Sequence, residues 1–148
     1  MNNTKSNRRR SKKPTKNTPK QKGGTKGKQS IVRYMLQMLM TVKLYHWNTL
    51  SYATHKATDD LYGELNTLID QFVETLLGKT KRERIETKTL LLKTFKDNSE
   101  FERELESYKK YMMDLGKKFN QKENSDILNI RDEILATLNK ISYLLTLK

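Results

Sequence analysis

Cysteine is absent from the 148 residues, which removes disulfides and thiolate metal ligands and is compatible with a reducing compartment. Proline is almost absent too: Pro14 and Pro19 are the only two, and both precede residue 29. Long apolar runs are missing. The most apolar stretch, Ile31 to Trp47, is interrupted by Arg33 and Lys43 and is too short to span a bilayer. No apolar segment near the N-terminus suggests a secretory signal, so a soluble, intracellular protein without membrane attachment is expected. Histidine occurs twice and tryptophan once, which narrows any search for chemistry to a few positions.

Acidic residues are missing from residues 1–28, whereas Lys5, Arg8, Arg9, Arg10, Lys12, Lys13, Lys16, Lys20, Lys22, Lys26 and Lys28 all fall there. This arm therefore holds eleven of the thirteen net positive charges. Residues 29–148 carry 19 Lys and Arg against 17 Asp and Glu, a net +2. The arm also lacks aromatics, Leu, Ile and Val, so it cannot bury enough apolar surface to offset its ordering entropy, and disorder is expected. As a flexible coil it would span roughly 30 Å. Such a segment suits non-specific binding of nucleic acid by phosphate neutralisation and counterion release. Without an aromatic to stack on bases it does not resemble a single-strand reader. A nuclear-localisation signal is the competing reading, and a polybasic membrane contact lacks an adjacent amphipathic anchor.

From residue 29 onward helical periodicity recurs four times. The first segment, about Ser30 to Trp47, is apolar on most sides, as in a buried helix. The second, about Thr54 to Leu77, stops at Gly78, a natural C′ glycine. The third opens at Asn98-Ser99 and carries Phe101, Leu105, Tyr108, Met112, Leu115 and Phe119, spaced alternately by four and three. The fourth opens at Asn124-Ser125-Asp126 and carries Ile127, Ile130, Ile134, Leu138, Ile141 and Leu145. Short loops join the first pair and the last pair, and a long connection joins the second to the third. Leu90, Leu91, Leu92 and Phe95 predict a short extra helix in that connection. The expected fold is all-α: a four-helix bundle over 29–148 with one long crossover, the ferritin-like connectivity.

His46 and His55 both lie near acids. On the second helix His55, Asp59, Asp70 and Glu74 fall at about 0°, 40°, 60° and 100° around the axis, one narrow stripe beside the apolar arc. Asp59 and Asp70 are about 16 Å apart along that helix, so one metal cannot bridge them within one chain. Two copies packed antiparallel would bring His55 and Asp59 of one to Asp70 and Glu74 of the other, crossing near Gly63. His46 would complete each of two identical sites. Imidazole and carboxylate ligands with open positions suit Fe(II) or Zn(II). The competing reading is a solvated helix face. No Glu-x-x-His motif is present, which argues against an ordinary di-iron site inside the bundle.

Tyr45-His46-Trp47-Asn48, followed by His55, Asp59, Asp70 and Glu74 at spacings of 4, 11 and 4, resembles the Dps family of DNA-binding proteins from starved cells. Asn124-Ser125-Asp126-Ile127-Leu128 is similar to the start of that family's last helix. The run His46 to Gly78 further resembles Dps-like proteins of large DNA viruses and phages. The resemblance implies two-fold dimers assembled into a dodecameric shell, and DNA binding by Lys-rich arms. It also implies ferroxidase and iron-storage activity, with His46, His55 and Asp59 joined by the partner's Asp70 and Glu74. Trp47 would sit by the iron and absorb oxidising equivalents, with partial burial in the core as the other reading. The implied location is a nucleoid, the cytoplasm, or a virion core with the genome. Three features depart from the pattern: His46 and His55 are nine residues apart where the family has twelve, the arm is longer and more basic, and the acidic pore residues are not recognisable. A purely structural DNA-packaging role is the alternative.

Overall fold

The computed structural model describes residues 23–80 and 84–147, with side chains from residue 27 onward. Four helices, α1 (Gly23–Asn48), α2 (Tyr52–Gly78), α3 (Asn98–Gly116) and α4 (Ser125–Leu144), account for its regular structure, and no strand occurs among the described residues. Helix α1 starts seven residues before Ser30, so residues 23–28, expected in the arm, form its first turns. Propagation from the formed helix needs no new nucleus, which lets it run on through Gly23, Gly24 and Gly27 although glycine disfavours helix. Lys5, Arg8, Arg9, Arg10, Lys12, Lys13, Lys16, Lys20 and Lys22 lie outside the described residues, as does the side chain of Lys26.

Local chemistry fixes the helix starts. Ser51 caps α2 by accepting from the Thr54 amide at 3.3 Å. Asp97 caps α3 by accepting from the Glu100 amide at 3.0 Å, and the Glu100 carboxylate reaches back to the Lys96 amide at 2.9 Å. Gly78 is not the left-handed cap its position suggested. Helix α2 runs through it, the right-handed Lys79 ends the helix, and no glycine among the described residues has positive φ.

Contacts between named residues set the helix directions. Lys79 at the end of α2 meets Asp126 at the start of α4 at 2.8 Å, while Lys140 late in α4 pairs with Glu64 in mid-α2. These two helices are therefore antiparallel neighbours. Asn98, the first residue of α3, bonds Tyr45 Oη at 2.6 Å and Thr54 Oγ1 at 3.1 Å, so α3 begins beside the α1–α2 turn. Helices α2 and α3 thus run in the same direction, flanked by α1 and α4 running the other way. Neighbours pack as α1 on α2, α2 on α4, and α4 on α3. Helices α1 and α3 meet through rings: Tyr34 stacks on Tyr111 at 3.7 Å and Tyr45 on Phe101 at 4.2 Å.

The expected short helix around Leu90 to Phe95 does not form, and the span of the connection excludes one that is helical throughout. Residues 84–97 are non-helical up to the cap of α3. The connection must return the length of α2, about 40 Å for 27 residues. Residues 79–97 wound as a helix would cover only about 28 Å, whereas extended chain reaches about 3.3 Å per residue. Leu91 and Leu92 consequently face solvent, and Phe95 alone packs against the core, edge-on to Tyr45.

The core follows the expected stripes. Met35, Met38, Leu65, Phe72, Phe101, Leu105, Met112, Ile134 and Leu138 are fully or almost fully buried. Truncating a ring such as Phe72 would cost about 3–5 kcal/mol.

Candidate functional site

The turn between α1 and α2 leaves three residues, 49–51, outside helix. So short a turn places His46, in the last turn of α1, directly against His55, in the first turn of α2. The two imidazoles stack with centroids 3.9 Å apart and planes 25° from parallel. His46 Nδ1 lies 3.0 Å from the His55 carbonyl oxygen, and His55 Nδ1 lies 2.9 Å from the His46 carbonyl oxygen. A carbonyl oxygen only accepts, so both Nδ1 atoms carry hydrogen. In the neutral rings both Nε2 atoms then hold a lone pair, the arrangement that outer hydrogen bonds impose on metal-binding histidines. The buried Thr58 hydroxyl donates to the Thr54 carbonyl at 2.7 Å and stands 3.4 Å from His46 Nδ1, backing the same ring.

Asp59 follows one turn after His55 and is half-exposed, its Oδ1 3.7 Å from His46 Nε2. That separation is too long for a hydrogen bond and within the span of two ligands sharing one cation. Lys43 Nζ also lies 3.7 Å from Asp59 Oδ1, and the same ammonium sits 4.6 Å from the Tyr62 ring and 5.6 Å from the Trp47 ring. The carboxylate is therefore already compensated. Three of the five expected ligands, His46, His55 and Asp59, are brought together despite the shortened interval. Asp70 and Glu74 are exposed and stand three and four turns farther along α2. Among the described residues no three His, Asp or Glu converge on a point that would hold a metal ion.

Trp47 is 68 % exposed, so the expectation of partial burial is corrected. Tyr45 and His46 turn inward, and the 100° step to the next residue carries Trp47 to the outer side. With Leu50 and Tyr52 it forms an exposed apolar corner. Gly63, the expected helix-crossing point, has open space where a Cβ would be. It opens onto a groove of about 570 Å³ between α2 and α4, lined also by Thr67, Leu68 and Ala136.

A second polar cluster escaped the sequence reading. The Glu104 carboxylate is buried between α1 and α3 and pairs with Lys93 of the crossover at 2.6 Å. Tyr34, Thr41 and Tyr108 line the same small cavity of about 80 Å³. Burial raises the phenol pKa of Tyr108 and Tyr34, and the Glu104 charge adds to both. Tyr111, stacked on Tyr34, is pushed up to about 12, chiefly by burial. The available signal was Glu104 itself, three residues after Phe101 and four before Tyr108, on the apolar stripe.

The third cluster joins the root of α1 to the crossover. Ser30 and Arg33 share a pocket of about 320 Å³ with Glu86, Thr87, Lys88 and Thr89. No helix of the described residues is long and apolar enough to cross a membrane.

A family model described as "Family of unknown function (DUF5856)" matches residues 46–145. The match begins at His46 and takes in His55, Asp59, Asp70 and Glu74, leaving out the arm and most of α1. The "Uncharacterized 14.6 kDa protein in mobD-ri intergenic region" of Enterobacteria phage T4 is 43% identical over 60 residues, which is 38% of this chain and 47% of that protein. The chain thus matches less than half the length of this curated relative. No solved structure matches it.

Proposed function

The chain belongs to the DUF5856 family, and on that footing we propose an oligomeric protein that binds and condenses DNA non-specifically through its basic N-terminal arms. The observation that carries this reading is the separation of charge: eleven cations without one acid in residues 1–28, against a near-neutral body. Phosphate neutralisation by such an arm gives attraction without sequence preference. A body that assembles copies would multiply the effect, because several tethered arms bind by avidity and crosslink strands. Two parallel helices, α2 and α3, joined by a crossover that returns the length of the bundle support a ferritin-like bundle of the Dps type, a fold that builds such assemblies. The phage relative is in keeping with a viral genome as the DNA.

The test pairs light scattering with gel retardation of a random-sequence duplex. The full chain should form a multi-subunit particle that retards and condenses the duplex. A chain lacking residues 1–22 should keep the particle and its helical circular dichroism while losing retardation. Undiminished retardation by that truncation would overturn the arm's role.

The geometry at His46 and His55 favours a companion activity, oxidation of Fe(II) as substrate by peroxide or dioxygen, each Fe(II) giving up one electron. In this reading His46, His55 and Asp59 supply the donors of one chain, and Asp70 and Glu74 come from the partner across a two-fold pairing of α2. The Nδ1–H bonds hold both imidazoles with Nε2 available, and Lys43 must release Asp59. Anaerobic Fe(II) loading followed by peroxide should produce ferric absorbance that Asp70→Ala with Glu74→Ala removes. Equal oxidation by the double variant would sink the assignment and leave a purely structural DNA-packaging role.

A further inference from the structure

The near-neutral body is not evenly charged. Residues 79–96 of the crossover hold seven Lys and Arg against Glu83 and Glu86, so the remainder of 29–148 carries twelve basic residues against fifteen acids. Helix α2 is the acidic element, with Asp59, Asp60, Glu64, Asp70 and Glu74 against Lys56. The positive charge of the body is therefore concentrated on the crossover.

Part of that charge is accessible among the described residues. Lys79 is held by Asp126 and Lys93 by Glu104, but Arg33, Arg84 and Lys88 have no ion-pair partner among the described residues. Arg33 and Lys88 line one pocket from opposite elements, α1 and the crossover, and the hydroxyls of Ser30, Thr87 and Thr89 line it with them. Glu86 is the single carboxylate of the lining, and it is not within ion-pair distance of either cation. A guanidinium, an ammonium and several hydroxyls around one hollow are the donors proteins use for backbone phosphates. No aromatic lines the pocket, so base stacking is not its chemistry. Its place along the chain matters equally. Helix α1 runs unbroken from Gly23 to Ser30 and Arg33, so the end of the arm leads straight onto this face.

We propose that this pocket is a second, folded nucleic-acid contact, which seats a backbone phosphate of the strand gathered by the arm. The inference rests on the nucleic-acid reading of the arm and adds a fixed point to it. The arm captures the polymer, and the pocket registers it on the body.

The test uses the full chain with Arg33→Gln and Lys88→Gln together, titrated onto a random-sequence duplex by fluorescence anisotropy at several salt concentrations. Losing the one seated phosphate should lower the slope of log affinity against log salt by about one, at roughly 0.9 per phosphate neutralised. Glu86→Gln should move affinity the other way. Both side chains are exposed, so thermal melting by circular dichroism should be unchanged. Affinity and slope equal to wild type in the double variant overturn the pocket. Calorimetry with inorganic phosphate separates the sources: phosphate binding lost in the double variant with an unaltered DNA slope assigns the pocket to the free ion and also overturns the proposal. A separate full-length variant with Arg8, Arg9, Arg10, Lys12 and Lys13 changed to Gln reports on the arm. Wild-type affinity in that variant fails the arm reading whatever the pocket does.

Discussion

His46 and His55 lie face to face, each donating its Nδ1–H to the other's backbone carbonyl, so that two side chains clasp the ends of two helices across a three-residue turn. The His55 bond serves the His46 carbonyl, one of the four at the end of α1 that lack an intrahelical donor. The clasp also decides which nitrogen of each ring carries the proton.

His55→Ala therefore removes one donor and leaves the buried His46 carbonyl without it. The expected cost is about 1–3 kcal/mol, read from urea unfolding. His55→Phe, which keeps a ring to stack on but not the bond, should recover only part. In the wild type, nitrogen NMR should show both Nδ1 atoms protonated. A spectrum with protonated Nε2 in the neutral rings would contradict the hydrogen-bond assignment.

Lys93→Met strips the ammonium from the buried Glu104 carboxylate. Lys93 is itself 52% exposed, so the loss should sit near the lower end of the range for breaking such a pair, about 1–3 kcal/mol. Adding Glu104→Gln removes the stranded charge and should restore much of the stability. If the single variant melts with the wild type, the crossover is not anchored there.

Alkaline titration should find the tyrosines between α1 and α3. The folded protein binds the Tyr111 proton more tightly than the unfolded chain, with the phenol at about 12 in place of about 10, and Tyr34 and Tyr108 are raised as well. The stability linked to them is intact below pH 10 and falls as pH rises through the folded values, because there the unfolded state has already released its protons. Phenolate absorbance should appear late for these rings, together with unfolding. Tyr111→Phe should flatten the loss of stability between pH 10 and 12, and an unchanged profile would refute the claim.

Two glycines separate packing from helix propensity. Gly63→Ala meets open space within the chain and should stabilise the fold by about 0.5–1 kcal/mol. If α2 pairs with a second α2 at this point, the same variant should lower the subunit number seen by light scattering. Gly116→Ala places a methyl 2.9 Å from the Arg131 guanidinium and should forfeit that gain. Equal melting shifts for the two would show that the Arg131 contact is immaterial.

The helices were legible in the sequence because their apolar residues recur every three or four positions. Phe101 to Leu115 and Ile127 to Leu145 are buried along those stripes. The bordering position of Asp59, Asp70 and Glu74 was legible for the same reason. Other features depend on distances that periodicity does not carry. Leu90 to Leu92 read as a helix from composition, yet the chain there is non-helical and leaves Leu91 and Leu92 exposed. Residues 23–28 read as arm because composition says little about how far a nucleated helix extends. Trp47 and the reciprocal histidine bonds depend on how sharply one turn bends. Lys43 beside Asp59 lay on the neighbouring helix and carried no signal of its own.

The full-length crossover also has a kinetic meaning. It divides the bundle into two antiparallel hairpins, α1 with α2 and α3 with α4, each closed by a short turn and able to form from contacts close in sequence. Joining them closes one longer loop, whose entropy grows only slowly with length. The docking of Phe95 and Lys93 onto the joined hairpins then belongs late in folding, after the rate-limiting step. Changes along the strap should accordingly speed unfolding and leave the folding rate nearly untouched.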